Sequence, residues 1–256
     1  METASAQNGP ARWTRGLLSC GLAAGPVFVT AFLIQGATRE GYRPSRHPVS
    51  SLALGPRGWV QAANFAVTGT LVLAGAAGLW RARDAAGPAD FAGPADFAGL
   101  ADFAGPADFA GPSLSTRAGP ALIGAAGAGI IGAAVFATDP VSGYPPGTPD
   151  ALAAPTRTGV VHTLVAVPVF AGLPAAAFSY AWRSARTRRR GFALYSAATA
   201  ATMLAGAALA GAGFDQSPRW VDRAGWLQRA SILAGFGWLT ALSARALRRG
   251  SAIQSL

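Results

Sequence analysis

The chain contains no lysine, a single cysteine and few charged residues of either sign. All 21 basic residues are arginine, against 11 acidic residues, and charged residues make up only 12% of the 256 residues. An ordinary soluble domain carries about 25% charged residues, so this composition argues against a soluble fold. The lone Cys20 lies within an apolar run, which excludes a disulfide framework and a cysteine-based metal site.

The arginine excess gives a formal net charge of +10, a value that would also suit a nucleic-acid-binding protein. The arginines, however, stand in short blocks between apolar runs, which is the pattern that orients membrane segments. We therefore interpret the charge as a topology signal. The expected partner is the lipid bilayer and not nucleic acid.

Six apolar runs are each long enough to cross a bilayer core, which needs about 20 residues. Tryptophan lies near several run ends, where an indole prefers the headgroup zone. The sequence therefore predicts an all-α, polytopic protein of the cell membrane, a single domain built as a six-transmembrane-helix bundle. The predicted spans are Gly16–Gly36, Gly58–Trp80, Ala118–Thr138, Gly159–Trp182, Gly191–Gly213 and Gly225–Leu247. The fifth run is mostly alanine and glycine, so we expect it to be a helix buried among the others.

The distribution of arginine between the loops predicts the orientation. Thirteen arginines fall in the two termini and the second and fourth loops, against seven in the first, third and fifth loops. The positive-inside rule then places both termini in the cytoplasm. The first loop, with four arginines on the predicted outer side, fits this rule least well.

The predicted second loop, residues 84–117, contains the hexapeptide AGPADF in four copies, one with Leu100 in place of proline. The copies occupy 86–91, 92–97, 98–103 and 104–109. Four short units with proline in three of them cannot build a β-solenoid. We predict a flexible cytoplasmic loop; as an alternative, its evenly spaced phenylalanines contact the membrane surface or a partner.

Glycine and proline within the spans predict how the helices pack. Lipid tails are as apolar as leucine, so helices in a bilayer associate through close approach of small residues and through polar contacts. Glycine recurs in the first, third and fifth spans, where it lets backbones approach closely. Pro168 and Pro174 interrupt the fourth span; they kink the helix or, alternatively, open a cavity below the outer surface.

Both histidines and most of the distinctive polar motifs fall on the predicted outer side. Segments far apart in sequence therefore converge on one side of the membrane, which indicates a shared site. The motifs are Arg46-His47-Pro48-Val49-Ser50, Asp139-Pro140, Gly143-Tyr144-Pro145, Val161-His162-Thr163 and Leu227-Gln228-Arg229. The candidate site residues are Arg46, His47, Ser50, Asn64, Asp139, Tyr144, His162 and Arg229.

Two of these residues stand where helix stability alone would not place them. Asp139 follows the third span, where the helix dipole disfavours negative charge, and His162 is near the start of the fourth, where positive charge is disfavoured. A cationic partner would relieve Asp139. A neutral imidazole would relieve His162, and neutral imidazole is the form that binds metals or acts as a base. Screening by nearby water is the alternative.

Polar residues also enter the spans themselves. Gln61, Asn64 and Thr68 share one face of the second helix, which predicts interhelical hydrogen bonds or, alternatively, the lining of a polar pocket. Arg229 lies about one turn into the sixth span. We favour an inward ion pair or anion contact for it over snorkelling to the interface.

Together the motifs resemble an uncharacterised bacterial family of membrane proteins, domain of unknown function 998, from about Gly16 to Leu247. The resemblance rests on the order and spacing of short motifs. They are Arg46-His47-Pro48-Val49-Ser50 with Asn64-Phe65, Phe136-Ala137-Thr138-Asp139-Pro140, Gly143-Tyr144-Pro145, Gly159 with His162, and Gln228-Arg229. It implies a six-helix membrane fold and supplies no activity, and the AGPADF repeats depart from the family pattern.

Three functions remain open on these grounds. The first is binding or movement of a lipid headgroup or small anion at an outward-facing polar pocket, with charge from Arg46 and Arg229. The second is a structural or accessory role without small-molecule chemistry. The third is a membrane-embedded hydrolase with a metal held by His47, Asp139 and His162, although no H-x-x-x-H or H-E-x-x-H spacing supports it. A Ser50 or Ser51 relay lacks a nucleophile-elbow motif. No cofactor or oligomeric state is indicated, and an enzyme is the least favoured of the three classes.

Overall fold

The structure, a computed structural model, describes residues 3–85 and 114–253. The AGPADF repeats, and with them the flexible-loop prediction, lie outside the described residues. Seven α-helices account for most of the described chain: α1 Thr3–Thr38, α2 Gly58–Ala85, α3 Leu114–Val135, α4 Arg157–Val167, α5 Leu173–Arg186, α6 Arg190–Phe214 and α7 Ala224–Ile253.

Six helical segments in the described residues are long and apolar enough to cross a membrane, which confirms the predicted six-helix bundle. These spans are Arg12–Thr38, Gly58–Ala82, Arg117–Val135, Arg157–Arg186, Arg190–Phe214 and Val221–Arg249. Five tryptophans near span ends have exposed side chains, as residues at a lipid–water boundary should: Trp13, Trp59, Trp80, Trp182 and Trp226. Which compartment each end faces stays a prediction.

The helices form a closed ring around a shared core. α2 packs between α1 and α3, the fourth span packs between α3 and α6, and α7 closes the ring between α6 and α1. In the core, Phe28 of α1 lies 5.8 Å from Phe65 of α2 and 5.0 Å from Phe236 of α7, measured between ring centroids. This aromatic cluster packs α1, α2 and α7 against one another.

Small residues at helix contacts permit the close approach that the sequence predicts. A Cβ added at Gly75 of α2 would lie 2.6 Å from the Cα of Gly21 in α1. A Cβ at Gly129 of α3 would lie 2.3 Å from the Val165 carbonyl oxygen of α4. Only hydrogen fits at these positions, so glycine sets the spacing of α1 with α2 and of α3 with α4.

Pro168 divides the fourth span in two. A π-helical turn, Pro168–Gly172, separates α4 from α5, because proline has no N–H to continue the α-helical pattern and its ring crowds the preceding turn. α3 packs against this turn as well as against α4 and α5. The predicted interruption is therefore present, and the helix beside it is α3.

The expectation that the fifth run is buried among the others is wrong. Within its most apolar window α6 has 28% of residues buried, the smallest share of the six spans. The large apolar side chains of Leu194 and Leu204 on α6 are exposed. α6 contacts α5, the π-helical turn and α7. Its Gly206 and Gly213 lie against the start of α7, whereas several of its alanines are exposed, so its small side chains do not make it a central helix.

Candidate functional site

Arg229 is the central residue of the end of the bundle formed by the first, third and fifth loops, which we call the outer rim after its predicted orientation. Its side chain is only 3% exposed. Nη1 donates to the carbonyl oxygens of Pro44 at 2.7 Å, His47 at 3.0 Å and Gly225 at 2.9 Å, and Nη2 donates to the Tyr42 hydroxyl. The side chain points inward, as expected. Its partners are carbonyls and a phenol, and among the described residues no carboxylate lies within ion-pair distance of it.

The Tyr42 hydroxyl extends this contact into the first outer loop. It donates to the Pro48 carbonyl at 3.0 Å and accepts from Arg229. Burial raises the pKa of the Tyr42 phenol, an effect that the neighbouring Arg229 charge opposes. Arg229 and Tyr42 together connect α7 to the segment between α1 and α2, and so fix the loop on the bundle.

His47 is held by both of its ring nitrogens. Nδ1 accepts the Arg43 backbone N–H at 2.9 Å, and Nε2 lies 3.1 Å from the Ser142 carbonyl. Because a carbonyl can only accept, Nε2 carries the proton and the imidazole is neutral. Burial lowers the pKa of His47; the hydrogen bond to Ser142 opposes this, and nearby arginines reinforce it. Neither nitrogen is left to bind a metal or to take a proton from a substrate.

Tyr144 packs against this pair. Its ring centroid lies 5.2 Å from that of Tyr42 in an edge-to-face arrangement and 5.2 Å from that of His47. Tyr144 is 3% exposed. The third outer loop is therefore anchored on the first through aromatic contact and the hydrogen bond from His47.

Arg46 joins two other outer loops. Its guanidinium lies 3.2 Å from a carboxylate oxygen of Asp150 and 3.5 Å from one of Asp222. Both carboxylates are mostly exposed, so each pair contributes only about 0–1 kcal/mol. The Arg46 Nε is buried and has no hydrogen-bond partner.

The polar stripe on α2 forms interhelical hydrogen bonds. Gln35 of α1 donates to the Gln61 side chain at 2.7 Å, and Asn64 donates to the Phe28 carbonyl at 3.3 Å. Thr68 donates to Asn64 at 3.4 Å. Arg39 extends the ladder to the surface by donating to Gln35 and to the loop carbonyls of Leu52 and Leu54, at 3.1–3.4 Å.

Asp139 lies at the N-terminus of α4, and this contact replaces the expected cationic partner. Its carboxylate accepts the Thr156 N–H at 2.9 Å and the Thr156 hydroxyl at 2.5 Å. Thr156 in turn caps α4 by accepting the Gly159 N–H at 3.0 Å. A Cβ at Gly159 would lie 2.1 Å from the Asp139 carboxylate. The positive end of α4 thus stabilises a charge that the end of α3 alone would disfavour.

His162 connects the same two helices. Its Nδ1 lies 2.8 Å from the carbonyl oxygen of Phe136, just beyond the end of α3, and therefore donates to it. Helix ends leave carbonyls without intrahelical partners, and His162 satisfies one of them. Asp139 and His162 are both part of the corner between α3 and α4.

The eight predicted site residues thus form separate groups. The first group, which we call the outer cap, links the outer loops to one another and to α7 and contains Arg46, His47, Tyr144 and Arg229. The second group is the α3–α4 corner, with Asp139 and His162. The third is the α1–α2 ladder, with Asn64. Ser50 lies half-buried on a short 3-10 helix, Val49–Ala53. No described side-chain hydrogen bond or ion pair joins one group to another.

This arrangement does not assemble the proposed metal site or the proposed relay. No three His, Cys, Asp or Glu side chains in the described residues come together in a group that could hold a metal ion. The relay fails as well, because His47 spends both nitrogens on backbone groups and Asp139 binds Thr156. Ser51, the second candidate nucleophile of the predicted relay, is buried, and its hydroxyl has no hydrogen-bond partner.

Several residues of the network were not identified from the sequence. Tyr42 and Ser142 stand in loops, where no periodicity marks them, and Gln35 and Arg39 fall at the end of α1. Thr156 did carry a signal, since threonine directly before a helix is a favoured N-cap.

Comparison with known proteins gives one match. The family model described as "Protein of unknown function (DUF998)" matches residues 22–104 and 97–245. The chain belongs to the DUF998 family. The two matched segments of this DUF998 protein overlap at residues 97–104, inside the AGPADF repeats. No curated protein and no solved structure matches the chain.

Proposed function

We propose that this DUF998 protein is an accessory membrane protein without small-molecule chemistry, whose outer end is a fixed, self-bonded protein surface. One observation carries the proposal: the buried Arg229 guanidinium is used by three carbonyls and the Tyr42 hydroxyl. The buried guanidinium of Arg229 therefore holds the loops together and does not face a ligand.

The same reasoning disfavours an outward-facing pocket for a lipid headgroup or small anion. Such a pocket needs donors directed into a cleft, yet both Nη atoms of Arg229 donate to protein acceptors and Asn64 donates to the Phe28 carbonyl. Arg46 is already paired with the carboxylates of Asp150 and Asp222. It would have to give up these ion pairs in order to bind an anionic ligand.

Anion binding remains the second candidate because of a single atom, the buried Arg46 Nε without a partner. Buried polar atoms in proteins are usually satisfied by protein, water or ligand. The hydrolase has no comparable support, since His47, Asp139 and His162 lie in two different hydrogen-bonded groups.

Thermal unfolding of the purified full-length protein in detergent distinguishes the candidates. The protein is heated with inorganic phosphate, glycerol phosphate or Zn²⁺ at millimolar concentration, and the unfolding temperature is measured. A ligand that binds the folded state raises this temperature, since at 100 times its Kd it adds about 2.7 kcal/mol of stability. We expect no saturable shift that depends on an outer residue. A phosphate shift lost in Arg46→Gln and kept in the exposed outer control Arg157→Gln would establish the anion pocket instead. A Zn²⁺ shift lost in His162→Asn would establish a metal site.

A further inference from the structure

The end of the bundle opposite the outer cap is dominated by arginine. We call this surface the arginine-rich end, defined by Arg12, Arg15, Arg81, Arg117, Arg183, Arg186, Arg188, Arg189, Arg190, Arg245, Arg248 and Arg249. Every acidic residue whose side chain the structure describes lies at the outer end: Glu40, Asp139, Asp150, Asp215 and Asp222. Among the described side chains, therefore, this end has twelve cations and no carboxylate.

Aromatic rings are interleaved with these arginines at the level where three spans end. The Arg186 guanidinium lies 5.0 Å from the ring centroid of Trp182, and that of Arg245 lies 4.3 Å from the ring of Phe192. Trp182 is 55% exposed. The second pair joins α7 to α6, so Arg245 lies beside the hairpin between α5 and α6. Exposed tryptophan beside arginine is typical of the lipid headgroup zone.

The hairpin between α5 and α6 places positive charge where it does not favour helix stability. α5 ends at Arg186 and α6 begins at Arg190, leaving a link of three residues. Arg183 and Arg186 suit the C-terminal end of α5, but Arg189 and Arg190 stand at the N-terminus of α6, where the dipole disfavours cations. The first turn of α6 contains no acidic residue, and Arg189 provides no side-chain cap. An anion at the hairpin would relieve this repulsion.

We propose that the α5–α6 hairpin, together with Arg245 of α7, binds the phosphate groups of anionic phospholipids. Arginine forks match phosphate oxygens in a bidentate manner, and basic clusters directly after a membrane span attract anionic lipid. Because the spans end here, the bilayer itself brings lipid phosphates to this height. Trp182 would lie against the glycerol region of the bound lipid. The site is separate from the outer cap, and this inference does not depend on the proposed accessory role.

Lipid binding to the purified full-length protein in a neutral detergent tests the inference. The protein is titrated with phosphatidylglycerol or phosphatidylcholine, and bound lipids are counted by native mass spectrometry. Each arginine near a membrane surface contributes about 1 kcal/mol, or about fivefold in affinity. The double variant Arg186→Gln/Arg190→Gln should therefore lose roughly 25-fold, and addition of Arg245→Gln roughly 100-fold, for phosphatidylglycerol only.

The matched control removes the same charge from the other end. Arg57, Arg157 and Arg223 are exposed outer residues, and their triple glutamine variant should keep the affinity for phosphatidylglycerol. Equal loss in this control, or equal binding of both lipids by the wild-type protein, overturns the inference. Displacement of the lipid by glycerol phosphate at equal concentration overturns it too, because the site would then bind soluble phosphate. Since Arg186 and Arg190 are exposed, the double variant keeps the test valid even if loss of the Arg245–Phe192 contact prevents folding.

Discussion

Replacement of Arg229 by methionine should cost the fold more than any other single change at the outer rim. Methionine can replace the aliphatic part of the arginine side chain, so the main loss is polar: three N–H groups of a charged donor, which share four acceptors. At about 1.5–3 kcal/mol for each N–H, the gross loss is about 4.5–9 kcal/mol. Part of this is recovered because a buried guanidinium no longer has to be desolvated. The expected net loss is about 3–5 kcal/mol, as for other broken buried pairs.

Reversible unfolding in mixed micelles, followed by circular dichroism over an SDS titration, measures this free energy. Arg223→Met is the matched control, because Arg223 is exposed just before α7 and its loss should change stability by no more than about 0.5 kcal/mol. Arg229→Lys should fall between the two, since an ammonium keeps the charge but lacks the planar fork. A loss in Arg229→Met as small as that in the control would refute the reasoning.

Two further changes test the other parts of the outer end. Gly159→Ala should destabilise the protein by about 1–3 kcal/mol through overpacking, because its Cβ would lie 2.1 Å from the Asp139 carboxylate; the same unfolding assay should find no loss in Gly191→Ala, where nothing lies within 4 Å. Burial lowers the pKa of His47 below its ordinary 6.5. The neutral His47 therefore contributes its full stability above pH 6.5. This stability is lost as the pH falls from 6.5 through the lowered pKa, because the unfolded chain takes up the proton first. The drop in stability from about pH 7 to about pH 5 should shrink in His47→Gln, which keeps a donor for Ser142 and does not titrate; an unchanged drop would contradict the assignment.

The six spans could be predicted because bilayer thickness imposes a length on every apolar run. Polar interactions between segments were harder to predict. The inward direction of Arg229 followed from its depth, but its partners are the carbonyls of Pro44 and His47, which no side-chain pattern marks. The end of α3 alone predicts an unfavourable position for the Asp139 charge, whereas α4, which begins at Arg157, supplies the stabilising dipole.

Burial of individual helices was the weakest prediction. The alanine and glycine content of α6 suggested a central helix because such a segment inserts poorly by itself. In the structure Gly206 and Gly213 lie against α7, whereas several alanines and the larger Leu194 and Leu204 are exposed. Alanine and glycine content alone therefore does not indicate how much of a helix is buried.

The central claim is that the outer polar residues bind one another and not a ligand, and the contact between Arg229 and Tyr42 tests it most directly. A double-mutant cycle with Arg229→Met and Tyr42→Phe isolates this pair, because the cycle cancels the separate loss of the bond from Tyr42 to Pro48. Residues in direct contact within one network couple by about 0.5–3 kcal/mol, and we expect a value in the upper half of that range. Additivity within about 0.3 kcal/mol would contradict the claim, because the two side chains would then not depend on each other for the stability of the fold.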